Sequence, residues 1–339
     1  MSTRSHRWAS GVALLLLALV LATILQEYVG RPILYTDAYW ESAEVLHRAL
    51  LAGHPPEGMS WRELGANGTS HRVIVPLLAQ SLSDLTGLEL RRVYYGIDFS
   101  ALVALFALLF LYLRRWLSVG WSLVGVLYLA AVLPTTYHFF YFHPWDRVSS
   151  LVWLAALWCV RERRPLVLAL VLAFGMLVKF DLLFVPLLYA AANWGDGPRR
   201  RTLVVTAGLL VASFGVLVLA TTLRPDAAGA GYLQHVRELV AANVAEARES
   251  GLAYAPLLLL LLPAVCGAAY RPAAEDRHPR LLRWLAPFAL LHLPLYAFAA
   301  SFREARAMVP LVLLLLPPAL LWARARFDQG GAPVERSSA

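Results

Sequence analysis

Residues Tyr141–Asp181 read YFHPWDRVSSLVWLAALWCVRERRPLVLALVLAFGMLVKFD, and this stretch predicts a hairpin of two apolar helices. The first runs from Arg147 to Val160 and the second from Pro165 to Val178, with the arginine-rich turn RERR (Arg161–Arg164) between them. At about 1.5 Å per residue, roughly 14 residues span about 21 Å, short of a hydrocarbon core of about 30 Å. If the arginine turn is held at one membrane surface, the opposite end lies below the other surface, inside the outer leaflet. That end carries His143, Asp146, Arg147, Lys179 and Asp181. Charged groups at that depth need partners or a water-filled cavity, and by default they mark a functional site.

The rest of the chain fits a membrane setting. Of 339 residues, 59% are hydrophobic and the mean hydropathy is +0.60, which excludes a soluble globular protein. Alternation in segments of about ten residues is missing, so an all-α multi-pass bundle is expected rather than a barrel. Apolar runs place about ten spans: 11–25, 93–113, 117–137, 147–160, 165–178, 182–194, 202–222, 253–270, 284–300 and 307–322. Cys159 and Cys266 both fall in such runs and read as inert packing residues.

The net charge of +8 encodes orientation rather than affinity for nucleic acid. Arg4 and Arg7 precede the first apolar run, which resembles a signal peptide but has no small-residue cleavage site before Gln26–Glu27. It is read as a retained helix. The N-terminus, Arg114–Arg115, RERR, GDGPRRR, RPAAEDRHPR and the tail then share one side, and they carry more than half of the 30 basic residues. The positive-inside rule makes that side, with both termini, cytoplasmic. Residues 1–326 form one transmembrane domain and 327–339 a disordered tail. Two longer outer segments, 27–92 and 223–252, hold amphipathic or polar helices at 38–52, 73–86 and 231–249. No internal repeat argues for the inverted halves of a transporter.

Candidate chemistry gathers on the outer side. Lys179 is the only lysine in the chain; it reads either as a plain helix cap or as a compact ammonium kept for a phosphate. Asp181 is its nearest candidate partner. Asp37, in ILYTDAYWES, reads as a helix N-cap or as a general base beside Tyr35, Tyr39 and Trp40, which form an interfacial belt or stack on a sugar. Asp146 in HPWDR, three residues after His143, is expected to orient an acceptor or to hold an arginine, while Arg147 snorkels to the surface. Arg303, Glu304 and Arg306 lie in the last outer turn, SFREAR, against the orientation bias, and suit a lipid-linked phosphate, as does Arg72 in NGTSHRVIVP. A divalent magnesium or manganese ion stays open as a cofactor, although only Asp37, Asp146 and Asp181 offer it oxygens on this face, and no metal ligand is assigned. There is no GxSxG, P-loop, HExxH or CxxC.

The motifs YTDAYWE, FHPWDR, LVKFD and FREAR followed by MVPLVLLLLP together resemble the GT-C superfamily of integral-membrane glycosyltransferases, and the resemblance covers most of the chain. It implies a bacterial inner-membrane enzyme that takes a sugar from a polyprenyl-phosphate donor, among membrane lipids, and transfers it to a lipid, glycan or protein acceptor on the extracytoplasmic face. Asp37 then corresponds to the catalytic loop acid and Asp146 to the second acid. The sequence departs from the family where the first acid is often followed by another: Ala38 follows Asp37 here. Two other classes remain open, a transporter or flippase of a lipid-linked anion and a non-catalytic membrane subunit. The enzyme reading expects Asp146, Lys179 and Asp181 on the floor of an outward-open cavity, with Asp37 overhanging it.

Overall fold

The hairpin forms as two helices, α6 (Asp146–Glu162) and α7 (Pro165–Val178), in a computed structural model that describes residues 3–28, 36–61, 64, 72–137, 145–222, 232–249, 255–273, 276, 278–299 and 305–330. Asp146 opens α6, where the helix dipole favours an acid. The helix closes in a Schellman pattern: Arg163 N–H donates to Val160 O at 3.3 Å and Arg164 N–H to Cys159 O at 3.0 Å. Arg163 takes the left-handed position, φ 56°, usually given to glycine, at a cost of about 1–2 kcal/mol. Pro165 then starts α7, its fixed φ suited to a first helical position. α7 ends where Lys179 turns extended, φ −162° and ψ 130°. A 3₁₀ turn, Phe180–Phe184, leads on to α8 (Val185–Asn193). A Cβ at Gly175 would collide with Leu182 and come within 2.9 Å of Val152 Cγ1, so this glycine lets the turn close onto α6.

Around the hairpin lie α1 (Thr3–Leu25), α2 (Asp37–Ala52), α3 (Ile74–Thr86), α4 (Leu90–Leu113) and α5 (Val119–Val132), the last extended by a 3₁₀ turn to Tyr137. After it come α9 (Arg199–Thr222), α10 (Tyr232–Glu249), α11 (Ala255–Ala269), α12 (Pro279–Ala299), a 3₁₀ turn at Ala305–Met308 and α13 (Val309–Gly330). The described residues contain helices and no strand. Among the described residues, four segments are long and apolar enough to cross a membrane: Leu90–Leu113, Val119–Thr136, Arg199–Ala220 and Arg306–Asp328. Ala13–Tyr28, Pro165–Val178, Phe180–Asn193 and Leu259–Ala269 are shorter apolar helices.

α6 packs against α4, α7, α8 and α13; α1 lies on α4, and α11 and α12 lie on α13. The α13 segment is 89% buried, whereas the α9 segment is only 17% buried. α13 is therefore a central post and α9 a peripheral helix, with Leu203, Val204, Val211, Phe214 and Leu219 facing outward as lipid contact allows. His47 ties the two amphipathic helices to this frame: its Nε2–H donates to Gln80 Oε1 on α3 at 3.0 Å, and its Nδ1 accepts from Tyr94 O–H on α4 at 2.8 Å.

Two expectations change. The helix placed at 182–194 begins later, at Val185, because the extended Lys179 and the 3₁₀ turn leave α8 with 9 residues, about 14 Å. The disordered tail does not begin at 327: α13 continues to Gly330, and Arg324 pairs with Asp328 one turn on at 3.4 Å. Residues 331–339 lie outside the described residues.

Candidate functional site

Consecutive residues of α6 project about 100° apart around its axis, because a helix turns once in about 3.6 residues. Asp146 and Arg147 therefore reach different neighbours. The Asp146 carboxylate meets Arg306 Nε at 2.5 Å, with side-chain exposures of only 6% and 3%. Arg147 Nη1 faces Asp98 Oδ2 of α4 at 3.2 Å and donates to Gln26 Oε1, at the end of α1, at 3.3 Å. That second pair is 2% and 1% exposed. Charges removed from water this completely need such partners, since breaking one side leaves the other buried and uncompensated.

Trp145, fully buried just before Asp146, extends the cluster. The Arg72 guanidinium lies 5.6 Å from the Trp145 ring centre and 5.8 Å from that of Phe180, a cation held between two aromatic faces. Phe180 separates Lys179 from Asp181, whose side chains approach to 3.8 Å and are 15% and 17% exposed. Asp181 Oδ1 is buried without a hydrogen-bond partner among the described residues. His292 of α12 lies within electrostatic reach of both, bonded to Ala307 O at 3.3 Å, with its ring edge-on to Trp153 of α6 at 5.8 Å. Arg72, Asp146, Arg147, Lys179, Asp181 and Arg306 thus converge at one end of α6.

Asp37 stands outside this cluster, on the approach to it along α4. It is the first residue of α2, its side chain is 90% exposed, and it pairs with Arg91 Nη1 at 2.6 Å on the first turn of α4, two turns before Asp98. Thr36, not Asp37, takes the N-cap position and makes no side-chain cap bond. His143, Arg303 and Glu304 lie outside the described residues.

The structure corrects one reading. Arg147 does not snorkel; the acid of α4 holds it inside. The void that Asp146, Arg147, Ser150 and Arg306 line offers about 10 Å³, room for barely one water. No group of three His, Cys, Asp or Glu side chains converges on a point that could hold a metal ion among the described residues. Cys159 and Cys266 are free thiols, the first buried and the second half-buried.

Two larger cavities lie at the opposite end of α6. One of about 410 Å³ is lined by Arg161, Arg163, Asn193, Asp196, His278 and Arg280 among others. A second of about 400 Å³ is lined by Ala191, Trp194, Arg280, Arg283 and Trp284.

Sequence reasoning passed over Asp98, Gln26 and His292 at the first end. Asp98 carried a usable signal, an acid inside an apolar run in YYGIDFSALVALF. At the second end the basic loops were read only for orientation.

Compared with known protein families, with curated proteins and with solved structures, the chain matches none.

Proposed function

We propose that this chain is an integral-membrane glycosyltransferase of GT-C type, with about ten membrane passages, moving a sugar from a polyprenyl-phosphate donor at the Asp146 end of α6. The observation that carries the proposal is the concentration of charge there. Arg72, Arg147, Lys179 and Arg306 meet Asp98, Asp146 and Asp181 at the end of apolar helices, all intermediate to fully buried. A bundle in a membrane keeps such a set at a working site. Arg72, Lys179 and Arg306 receive the phosphate and stabilise its charge as it becomes the leaving group. Asp146, released from Arg306 when phosphate takes that arginine, orients the acceptor. Asp37, exposed at the head of α2, accepts the proton of the attacking hydroxyl or amine as the acceptor arrives. The small void around Asp146 makes this the closed form, so donor entry requires the Asp146–Arg306 pair to part.

Transfer from labelled polyprenyl-phosphate sugars by the purified protein tests the reading. Asp146→Asn and Asp37→Asn are each expected to lower transfer by two orders of magnitude or more, within the range general acid–base groups supply. Unchanged transfer by Asp37→Asn removes that residue from its role. Failure of the wild-type protein to bind any polyprenyl phosphate overturns the function.

One observation favours a second reading, a transporter of a lipid-linked anion. A basic cavity lies at the far end of the same helix, so both ends of α6 present cations. Movement of a lipid-linked phosphate across proteoliposomes without chemical change would select it.

A further inference from the structure

We infer that the cavities at the arginine-turn end of α6 form a binding site for an anionic phospholipid, separate from the Asp146 cluster and independent of the catalytic reading. Three turns that are distant in sequence build it. Arg161 comes from the last turn of α6 and Arg163 from the turn that follows it, Asp196 from the turn after α8, and Arg280 from the start of α12. Asp196 uses one carboxylate oxygen for Arg163 and the other for Arg280. Two guanidinium groups thus share one carboxylate, which leaves a net positive charge in the wall. Arg280 also donates to Trp194 O at 2.6 Å, and this is possible because Gly195, at φ 84°, carries no Cβ where Nη1 passes.

Arg161 supplies the observation that points to a ligand. Its side chain is only 6% exposed, and Nη1 is held by Glu162. Its Nε, buried, has no hydrogen-bond partner among the described residues, although the residue lines the cavity. An unsatisfied donor on a buried cation is costly, and a phosphate oxygen is the acceptor that suits it. The volume of about 410 Å³ lies in the range of ligand pockets.

Arg280 also lines the adjoining cavity of about 400 Å³, whose other walls include Trp194 and Trp284, both close to half exposed. One arginine therefore stands between a polar hollow and an indole-lined one. A phosphodiester headgroup fits the first and the start of an acyl chain the second, as basic pockets between membrane helices bind anionic lipids. A soluble phosphate would use only the first hollow and leave the indoles without a role.

Calorimetric titration of the full-length detergent-purified chain tests this with three probes: dioctanoyl phosphatidylglycerol, dioctanoyl phosphatidylcholine and inorganic phosphate. The expected result is saturable binding of phosphatidylglycerol, at least tenfold weaker binding of the other two, and at least tenfold loss of phosphatidylglycerol affinity in Arg161→Gln and Arg280→Gln. Arg283→Gln, at an exposed residue in the second hollow, should weaken binding several-fold with no change in folding, so the site stays testable if the buried substitutions unfold the chain. Equal affinity for phosphatidylcholine, or unchanged phosphatidylglycerol affinity in Arg283→Gln and in the folded buried variants, overturns the site. Inorganic phosphate binding as tightly as the lipid overturns the lipid assignment. Loss of sugar transfer with lipid binding intact would concern only the other end of α6.

Discussion

The two ends of α6 solve the same electrostatic problem in opposite ways. At the Asp146 end, each charge on the helix meets a counter-charge on another helix, both pairs are nearly sealed from solvent, and the void between them holds about 10 Å³. At the arginine-turn end, guanidinium groups outnumber carboxylates, two of them share Asp196, and about 410 Å³ stays open. Between them α6 is packed with apolar residues such as Val152, Leu154 and Leu157. The comparison teaches that the first end is matched to itself, whereas the second leaves its excess positive charge facing a cavity.

The largest effect should come from breaking a sealed pair. Arg147→Met strands Asp98 and should cost about 3–5 kcal/mol, measured by unfolding in mixed micelles. The double variant Asp98→Leu/Arg147→Met should recover most of that loss, because two apolar side chains of similar volume replace the pair. A double variant as unstable as the single one would mean that the pair is not the unit of stability here.

A smaller effect is expected where the closed end is packed rather than charged. Gly175→Val forces the 3₁₀ turn away from α6 and should cost about 1–3 kcal/mol by overpacking. Leu182→Ala in the same chain should relieve part of it. Additive losses in the double variant would place the strain elsewhere.

At the open end pH should have a modest influence. Burial first, then Arg161 and Arg163, lower the pKa of His278 below its ordinary 6.5, with Glu162 and Asp196 opposing. Below 6.5 the unfolded chain therefore binds more protons than the folded one, so the contribution of His278 to stability is complete above pH 6.5 and is lost as pH falls through the lowered value. His278→Asn keeps a residue that tolerates the left-handed backbone, φ 58°. The variant should flatten the fall in Tm between pH 7 and pH 5; an identical fall would clear His278.

The smallest stability effect belongs to Asp37→Asn. An exposed pair such as Asp37–Arg91 contributes about 0–1 kcal/mol, so Tm should barely move even where sugar transfer is lost. A large drop in Tm would make Asp37 a structural residue and remove it from the contrast between the ends.

The hairpin was legible because its signals are local: apolar runs, RERR, and a proline and a lysine at the helix limits fix α6 and α7 within two residues. The amphipathic helices α2 and α3 were legible for the same reason. What was not legible lies in pairings between distant residues. Nothing near Asp146 in sequence names Arg306, and the snorkelling expectation for Arg147 failed because its partner, Asp98, sits in another helix. The open cavity escaped because its wall comes from three turns, each of which alone reads as an ordinary basic loop. The shortness of α8 escaped because the apolar run continues through a 3₁₀ turn that hydropathy does not register.

The order in which the chain is made gives the sealed pairs a further consequence. Asp98 leaves the ribosome roughly fifty residues before Arg147, and Asp146 roughly 160 residues before Arg306. At about 5–20 residues per second these intervals are roughly 3–10 s and 8–30 s. During them each acid waits without its cation. Assembly therefore passes through a stage in which α4, and then α6, carries an acid whose partner has not yet been made, and only the arrival of Arg306 completes the second pair. A chain truncated before Arg306 should be retained by the insertion machinery or degraded, although α1 to α12 have all been made.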